Sequence, residues 1–241
     1  MTEHTDRRIA VVTGASRGIG RATALALADE GYRVVCIARS QKALETLDDE
    51  IKEDGHGEAT LIPFDLRDLD GIDKIGAALF ERFGHIDAFA SCAGALGSLT
   101  PANQATPAVM DEVTKINFLA PQRLIRALHP LLRASDAGRA VFLTSNTREP
   151  QAYWAPYLAT KAALDALVLC YAAEVAITPI KVNLFNPGPT RTAIRQKAFP
   201  GEDPMSVPAP EEVAPRIAEM LRPEFMKNGE LVAAFAPRIH G

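Results

Sequence analysis

Cysteine is scarce. The 241 residues contain three, Cys36, Cys92 and Cys170, standing 56 and 78 positions apart. There is no CxxC pair and no metal-ligand spacing, and an odd number of thiols cannot close a disulfide framework. Reduced thiols in a cytoplasmic setting are expected. The five histidines (4, 56, 85, 129 and 240) are scattered and none forms a metal-binding pair, so no metal site is expected. Blocks of like charge are also missing. With 26 Lys+Arg against 30 Asp+Glu the formal charge is −4, and no basic run supplies the footprint that nucleic acid or an anionic membrane surface requires. Neither partner is expected. The longest uncharged stretch, Ala88 to Met110, is broken by Ser91, Gly94, Gly97, Pro101, Asn103, Gln104 and Pro107, so it does not read as a bilayer span. The apolar run Ile9 to Val12 is too brief for a secretory core.

What remains is an ordinary globular composition, 47% hydrophobic and 23% charged. Short β-branched or apolar runs alternate with longer segments of helical period, several closed by glycine. Strands are predicted at Ile9 to Val12, Arg33 to Ala38, Ala59 to Phe64, Ile86 to Cys92, Arg139 to Ser145, Ile180 to Phe185 and Leu231 to Phe235. Helices are predicted at Ile19 to Glu30, through the faces Leu44/Leu47/Ile51 and Leu69/Ile72/Ile75/Leu79, at Pro156 to Ile177, and at Pro210 to Leu221. Another starts at the capping pair Thr106-Pro107, with Pro121 expected to kink it and Pro130 to help end it. Such alternation predicts an α/β fold with a parallel sheet covered by helices. One domain, 1–241, is expected. The segment Asn186 to Pro210 carries six prolines, and 192–210 is read as a mobile substrate lid.

Two groups of residues carry chemistry. Thr13-Gly14-Ala15-Ser16-Arg17-Gly18-Ile19-Gly20 lies between a strand and a helix, where backbone N–H groups and a helix N-terminus can approach a pyrophosphate. The GxxxGxG spacing is not that of a nucleotide triphosphatase. At the end of the second strand, an acid that would accept from a free ribose 2′-hydroxyl is missing. Residues 32–44 hold no Asp or Glu but do hold Arg33, Arg39 and Lys42. With Arg17 nearby, this favours NADP(H) over NAD(H), with Arg17 and Arg39 as the phosphate contacts. The second group is Tyr157 and Lys161, four apart and so on one helix face. A unit charge near 4 Å at an effective dielectric of about 20 is worth roughly 4 kcal/mol, enough to bring a phenol from about 10 towards roughly 7. Tyr157 could then exchange a proton at cellular pH.

The glycine turn, Tyr157/Lys161 and Asn186-Pro187-Gly188-Pro189-Thr190 follow one another in an order that resembles the short-chain dehydrogenase/reductase family over nearly the whole chain. The resemblance implies a doubly wound Rossmann fold with seven parallel strands, a nicotinamide cofactor, and hydride transfer between a carbonyl compound and an alcohol. It makes Tyr157 the proton donor or acceptor and gives Lys161 the nicotinamide ribose and the tuning of the phenol. Ser145 would orient the substrate oxygen, and Asn117 would keep a water relay to the lysine. Beyond Gly14, Ser16, Arg17, Gly18, Ile19, Gly20 and Arg39, it implies cofactor contacts at Asp65 and Leu66, the acid facing adenine, at Ala93 and Gly94, and at Pro187, Gly188 and Thr190 beside the carboxamide. It also implies a homodimer or homotetramer.

Two departures stand out. Cys92-Ala93-Gly94 replaces the family's Asn-Ala-Gly, removing an asparagine that braces the glycine turn; a buried thiol is expected there. Ser145 precedes Tyr157 by 12 positions, one fewer than the family spacing, so Thr144 is a rival. Adjacent strand residues face opposite ways, and Ser145 is preferred. Trp154 suits either the pocket or helix packing, and Leu96, Leu99, Tyr153 and Phe199 suggest an apolar ligand. Asp165 and Glu174 read as solvated or as subunit contacts. The alternative is a non-catalytic dinucleotide-binding sensor or interaction protein on the same fold. An epimerase or dehydratase would want an acidic end to the second strand, and a larger C-terminal domain.

Overall fold

Alternate side chains along each strand enter opposite layers of core, because successive Cβ atoms point to opposite faces of a sheet. In the computed structural model, which describes residues 7–235, the strands are β1 (Ile9–Thr13), β2 (Arg33–Ala38), β3 (Thr60–Pro63), β4 (Ala88–Ser91), β5 (Arg139–Leu143), β6 (Lys181–Asn186) and β7 (Leu231–Ala233). All pair in parallel, in the order β3-β2-β1-β4-β5-β6-β7. Ile9, Val11, Val35, Ile37, Phe89 and Phe142 pack on one side against α3 (Leu69–Phe83), α5 (Ala120–Ala134) and α6 (Ala155–Glu174). Ala10, Val12, Val34, Cys36, Ala90 and Val141 pack on the other against α1 (Gly18–Asp29), α2 (Gln41–Glu53) and α8 (Pro210–Leu221). Burial on both faces explains why the strands read as apolar runs instead of alternating ones. The fold is the doubly wound α/β arrangement. Chain direction across the sheet reverses between β1 and β4, which opens a crevice at their carboxyl ends.

Local chemistry sets several boundaries. Asp68 caps α3 by accepting from Gly71 N at 3.0 Å, and Gly84, at φ 77°, ends it in the left-handed conformation. Thr106 caps α4 (Pro107–Thr114). The continuation of α4 corrects two expectations. Pro121 lies in the first turn of α5, directly after a π turn over Lys115–Leu119, where the chain takes an extra residue per turn. Pro130 does not help end α5, which runs on to Ala134. Its side is exposed, so water can satisfy the carbonyl that its missing N–H leaves open. The proline-rich 192–210 segment is also more ordered than expected. It contains α7 (Ala193–Ala198), capped by Thr192, and a 3₁₀ turn over Pro204–Ser206. Of the predicted closing strand, Leu231–Ala233 pairs, and Ala234 and Phe235 lie beyond it.

At the opposite end of the sheet from the crevice, Asp87 ties three segments together. Its buried carboxylate accepts from Ile9 N at 2.8 Å, Ser135 Oγ at 2.6 Å and Arg8 Nη1 at 3.0 Å. Asp87→Ala strands a buried N–H and a buried hydroxyl and leaves Arg8 with Asp136 alone, at a cost of about 3 kcal/mol. For a chain of this length that lowers Tm by roughly 6–12 °C, measurable by thermal unfolding followed by circular dichroism.

Candidate active site

The crevice is built where two turns meet. After β1 the chain turns through Gly14, at φ 70°, whose N–H donates to Ile37 O at 2.9 Å. A Cβ at Gly14 would lie 2.9 Å from both the Cα and N of Ala93, in the turn after β4, and one at Gly20 would lie 2.4 Å from Gly14 O. Both positions exclude a side chain by close backbone approach. Ala93 N donates to Thr13 Oγ1 at 3.4 Å, which links the turns without the family's asparagine. In its place the half-buried Cys92 sets its thiol beside Thr23 on α1, and desolvation pushes that thiol up to about 12. That matches an inert packed thiol.

The N-terminus of α1 has no side-chain cap and no acid in its first turn. Its first N–H groups therefore keep their capacity to donate to an anion, at the positive end of the helix dipole. Ser16 and Ile19 are half-buried in this turn, and Arg17 is exposed at the cap. Arg39 is exposed just past β2, and neither arginine enters an ion pair among the described residues. Arg33, the third arginine nearby in sequence, begins β2, and its guanidinium lies 5.2 Å from the Phe83 ring centroid. Asp65 is also differently engaged, accepting from Arg67 Nε at 2.9 Å and from Arg67 N at 3.0 Å. Arg67 holds its carboxylate below the usual range, with Arg39 adding to the effect. Leu66 packs into the core. Arg67 was missed by the sequence reading, although its i+2 spacing from Asp65 was visible.

On the other wall stand Tyr157 and Lys161, both buried on α6. Lys161 Nζ lies 6.0 Å from the Tyr157 ring centroid and donates to Leu143 O at 2.7 Å. Thr144 and Ser145 part company after β5. The Thr144 hydroxyl donates to Asp165, whereas the Ser145 hydroxyl lies near enough to the Tyr157 phenol to pull its pKa down. Ser145, and not Thr144, is thus the hydroxyl on the side of the phenol. Asn117, buried in the π turn, accepts from Ala95 N at 2.8 Å and donates to Ala95 O at 2.9 Å and Thr160 Oγ1 at 3.0 Å. Its side chain braces the loop after β4 against α6 and is fully occupied, so any relay falls to its carbonyl, which Pro121 cannot satisfy. Thr160 donates on to Tyr157 O at 2.8 Å. A Cβ at Gly94 would lie 3.6 Å from Asn117 Oδ1 and 3.8 Å from Lys161 Nζ, so this glycine floors the site.

The electrostatics differ from the sequence expectation. Burial pushes the phenol up to about 12, and the Ser145 hydrogen bond only partly opposes this. Burial also pushes the Lys161 amine down to about 8, against the attraction of Asp165. The expected fall towards 7 counted the lysine charge and not the burial of the phenol; here desolvation dominates, and the amine is spent on a carbonyl. Asp165 is half-buried and hydrogen-bonded, not merely solvated.

Above the site, Thr190 is buried and donates to Pro187 O at 3.2 Å, so its hydroxyl serves its own loop. Gly188, at φ 65°, donates to Asn186 Oδ1 at 3.0 Å. Thr192 packs on Gly18, and Ile194 on Gly94. The segment is pinned: Lys197 Nζ donates to Gly97 O at 2.6 Å, Arg195 pairs with Glu202 at 2.6 Å, and Phe199 packs 5.8 Å from Trp154. Trp154 in turn meets the Tyr157 ring edge-on at 5.8 Å. Tyr153 beside it is the one non-glycine residue of positive φ among those described, at 73°.

A parallel sheet in this order, with a glycine turn after β1 and a Ser, Tyr, Lys and Asn group beside it, defines a class. The family model for short chain dehydrogenase matches residues 8–203. The uncharacterized oxidoreductase YciK of Escherichia coli K12 is 34% identical over 211 residues, 86% of this chain and 83% of the relative. A short chain dehydrogenase from Shigella flexneri 2a, solved in complex with NADP, superposes with a TM-score of 0.90 at 33% identity, covering 94% of this chain and 96% of that one. One from Escherichia coli CFT073, complexed with NADPH, gives 0.90 at 32% identity, covering 94% and 96%. The chain belongs to the short-chain dehydrogenase/reductase family of oxidoreductases.

The buried amine gives a stability signature. Lys161 has an ordinary pKa of 10.5 when unfolded and about 8 when folded. Below pH 8 both states are protonated and burying the charge destabilises the fold in full. Between 8 and 10.5 the unfolded chain binds more protons, so this contribution to stability rises with pH. Lys161→Met lacks that rise, so its stability relative to wild type falls by up to about 3 kcal/mol between pH 7 and pH 10.5. Urea unfolding at the two pH values measures the difference.

Proposed function

We propose that the protein is an NADP(H)-dependent oxidoreductase that interconverts a carbonyl compound and a secondary alcohol, with Tyr157 as general acid/base. The observation that carries the reading is the convergence of Ser145, Tyr157 and Lys161 beside Gly94, across the crevice from the uncapped start of α1. The absence of a side chain at Gly14 and the open N–H groups of α1 suit a dinucleotide pyrophosphate, with Gly18, Ile19 and Gly20 forming the turn. Arg17 and Arg39 would hold a 2′-phosphate. Asp65 and Leu66 would flank adenine, with Arg67 beside them. Ala93, Gly94, Pro187, Gly188 and Thr190 would line the nicotinamide end. When bound, the nicotinamide supplies or accepts the hydride.

The protein's own residues do the rest. Lys161 would hold the ribose. Ser145 donates to the substrate oxygen and keeps it within reach of Tyr157 Oη, and that positioning removes much of the entropic barrier. With its phenol pushed up to about 12, Tyr157 carries its proton at neutral pH. That is the form that donates to a carbonyl oxygen as negative charge develops there, so the protein groups by themselves favour reduction. Tyr157 burial, with Trp154 against its ring and Phe199 behind Trp154, keeps water from competing for the proton. The 192–210 segment acts as the substrate lid of a single domain. A small-molecule substrate, a cytoplasmic setting and a homodimer or homotetramer belong to the same reading; exposed Leu169 and Ile177 offer apolar surface that a second copy would cover. No observation favours the non-catalytic sensor.

Tyr157→Phe should cut NADPH-dependent reduction across a panel of ketones and aldehydes by about 10²–10⁴-fold while leaving NADPH affinity near wild type. Turnover surviving in the variant overturns the assignment. Arg39→Ala should weaken NADPH binding by roughly tenfold or more, the size of a lost charge-assisted hydrogen bond, and leave NADH binding nearly unchanged. Fluorescence titration with each coenzyme separates the two, and equal losses refute the 2′-phosphate contact.

A further inference from the structure

The hydroxyl that faces Tyr157 sits on a turn that does not hold itself. Ser145 follows the last residues of β5, and beyond it Thr147 N donates to Ser145 O at 2.9 Å, a tight reversal of three residues. Thr144 N is fastened to Phe185 O at 2.9 Å. The two threonine hydroxyls that bracket Ser145 both end on one carboxylate: Thr144 Oγ1 donates to Asp165 Oδ1, and Thr147 Oγ1 donates to Asp165 Oδ2 at 2.7 Å. Asp165 lies on α6, four residues beyond Lys161 and eight beyond Tyr157. One helix therefore presents the phenol, the amine and the carboxylate that clamps the facing turn.

We propose that Asp165 is a positioning residue, whose two oxygens hold Thr144 and Thr147 so that Ser145 Oγ stays within hydrogen-bonding reach of Tyr157 Oη. The inference rests on the reading of Ser145 and Tyr157 given above. Its physical basis is geometric. A carboxylate has an acceptor on each oxygen and no donor, so it can fix two hydroxyls at once and set their separation. The intervening Ser145 then has little freedom. Without the clamp, Thr144 would keep its strand hydrogen bond, but the reversal at Thr147 would rest on one backbone contact, too little to fix a side chain to a fraction of an ångström.

Four variants and a control test the idea. In Asp165→Leu, kcat for NADPH-dependent reduction of 9,10-phenanthrenequinone falls by roughly 10- to 100-fold, as for a small misplacement of a catalytic group, with NADPH affinity unchanged. Asp165→Asn, which can still meet both hydroxyls, restores kcat to within about threefold of wild type. The paired substitution Thr144→Val with Thr147→Val reproduces the loss, and adding Asp165→Leu to it costs less than about twofold more, because the three residues act as a unit. The paired variant also answers the question if Asp165→Leu does not fold. Crystal structures of wild type and of whichever of these variants folds provide the second readout: Ser145 Oγ has left Tyr157 Oη in the variant and not in wild type. An intact Ser145–Tyr157 hydrogen bond in the variant overturns the proposal, as does an unchanged kcat. Failure of Asp165→Asn to restore turnover also overturns it, by placing the effect in the charge. Where wild type does not reduce phenanthrenequinone, the crystal structures decide alone. Tyr157→Phe is the control. If it remains active, the reading of the site fails and carries this proposal with it; if it is inactive while Asp165→Leu turns over normally, only the proposal fails.

Discussion

The backbones of Gly14 and Ala93 approach so closely that no methyl group can stand between them. This contact joins the turns after β1 and β4, the two strands between which the order of the sheet reverses, and it determines what the crevice can be. On one side it fixes where α1 begins, and therefore where uncapped N–H groups and the positive end of a helix are aimed. On the other it fixes the loop carrying Gly94 and Ala95, against which Asn117 is hydrogen-bonded. Asn117 continues to Thr160, and Thr160 to the carbonyl of Tyr157. A single chain of contacts thus runs from the glycine turn to the phenol. Neither wall of the site is placed independently of the other.

The electrostatic character of the site follows from its dryness. Four residues of helical separation were enough to expect that the lysine would lower the tyrosine, but separation along a helix says nothing about what surrounds the two groups. Enclosed by Trp154, Thr160 and the strand ends, both groups favour their neutral forms, moving the phenol up to about 12 and the amine down to about 8. Two opposing consequences meet here. A buried phenol holds its proton for donation, and a buried amine is costly to keep charged. The Leu143 carbonyl and Asp165 are the groups that help keep the amine charged, so the electrostatics of α6 are set as much by the end of β5 as by the helix itself.

The sheet was legible in the sequence because its signals are local. Apolar runs, glycines closing helices and the Thr106-Pro107 start each depend on a few neighbouring residues, and the seven strands appear where those signals lie. Errors arose where a tertiary partner decides. Pro130 reads as a stop, yet an exposed helix side lets water take the freed carbonyl. Arg33 counts among the cations of 32–44, but it begins β2, a strand length from Arg39. The segment after Asn186 reads as loose because of its prolines, although its order comes from Lys197 on Gly97 and Phe199 on Trp154, about 100 and 45 residues away along the chain. Asp65 was visible and Arg67 beside it was not considered, because an adjacent pair of opposite charges gives no sequence signal for which partner wins. Ser145 and Thr144 could be ranked by alternation but not separated by it, since only the position of Asp165 shows where the second hydroxyl goes.

The pattern of satisfied and unsatisfied groups also bears on what the crevice can admit. Around the outer part of the site the charged side chains have partners of their own: Arg195 is bound to Glu202 and stacked on Phe199, and Lys197 is bound to a carbonyl. Of the rings beside the phenol, Trp154 meets it edge-on and Phe199 packs on Trp154. A charged group entering there would find neither Arg195 nor Lys197 free as a counter-charge. At the other end of the crevice the balance is reversed, with Arg17 and Arg39 exposed beside uncapped N–H groups. Polarity therefore runs along the crevice from cationic to apolar, and the hydroxyls of Ser145 and Tyr157 mark the boundary where a ligand charged at one end and a neutral one would meet.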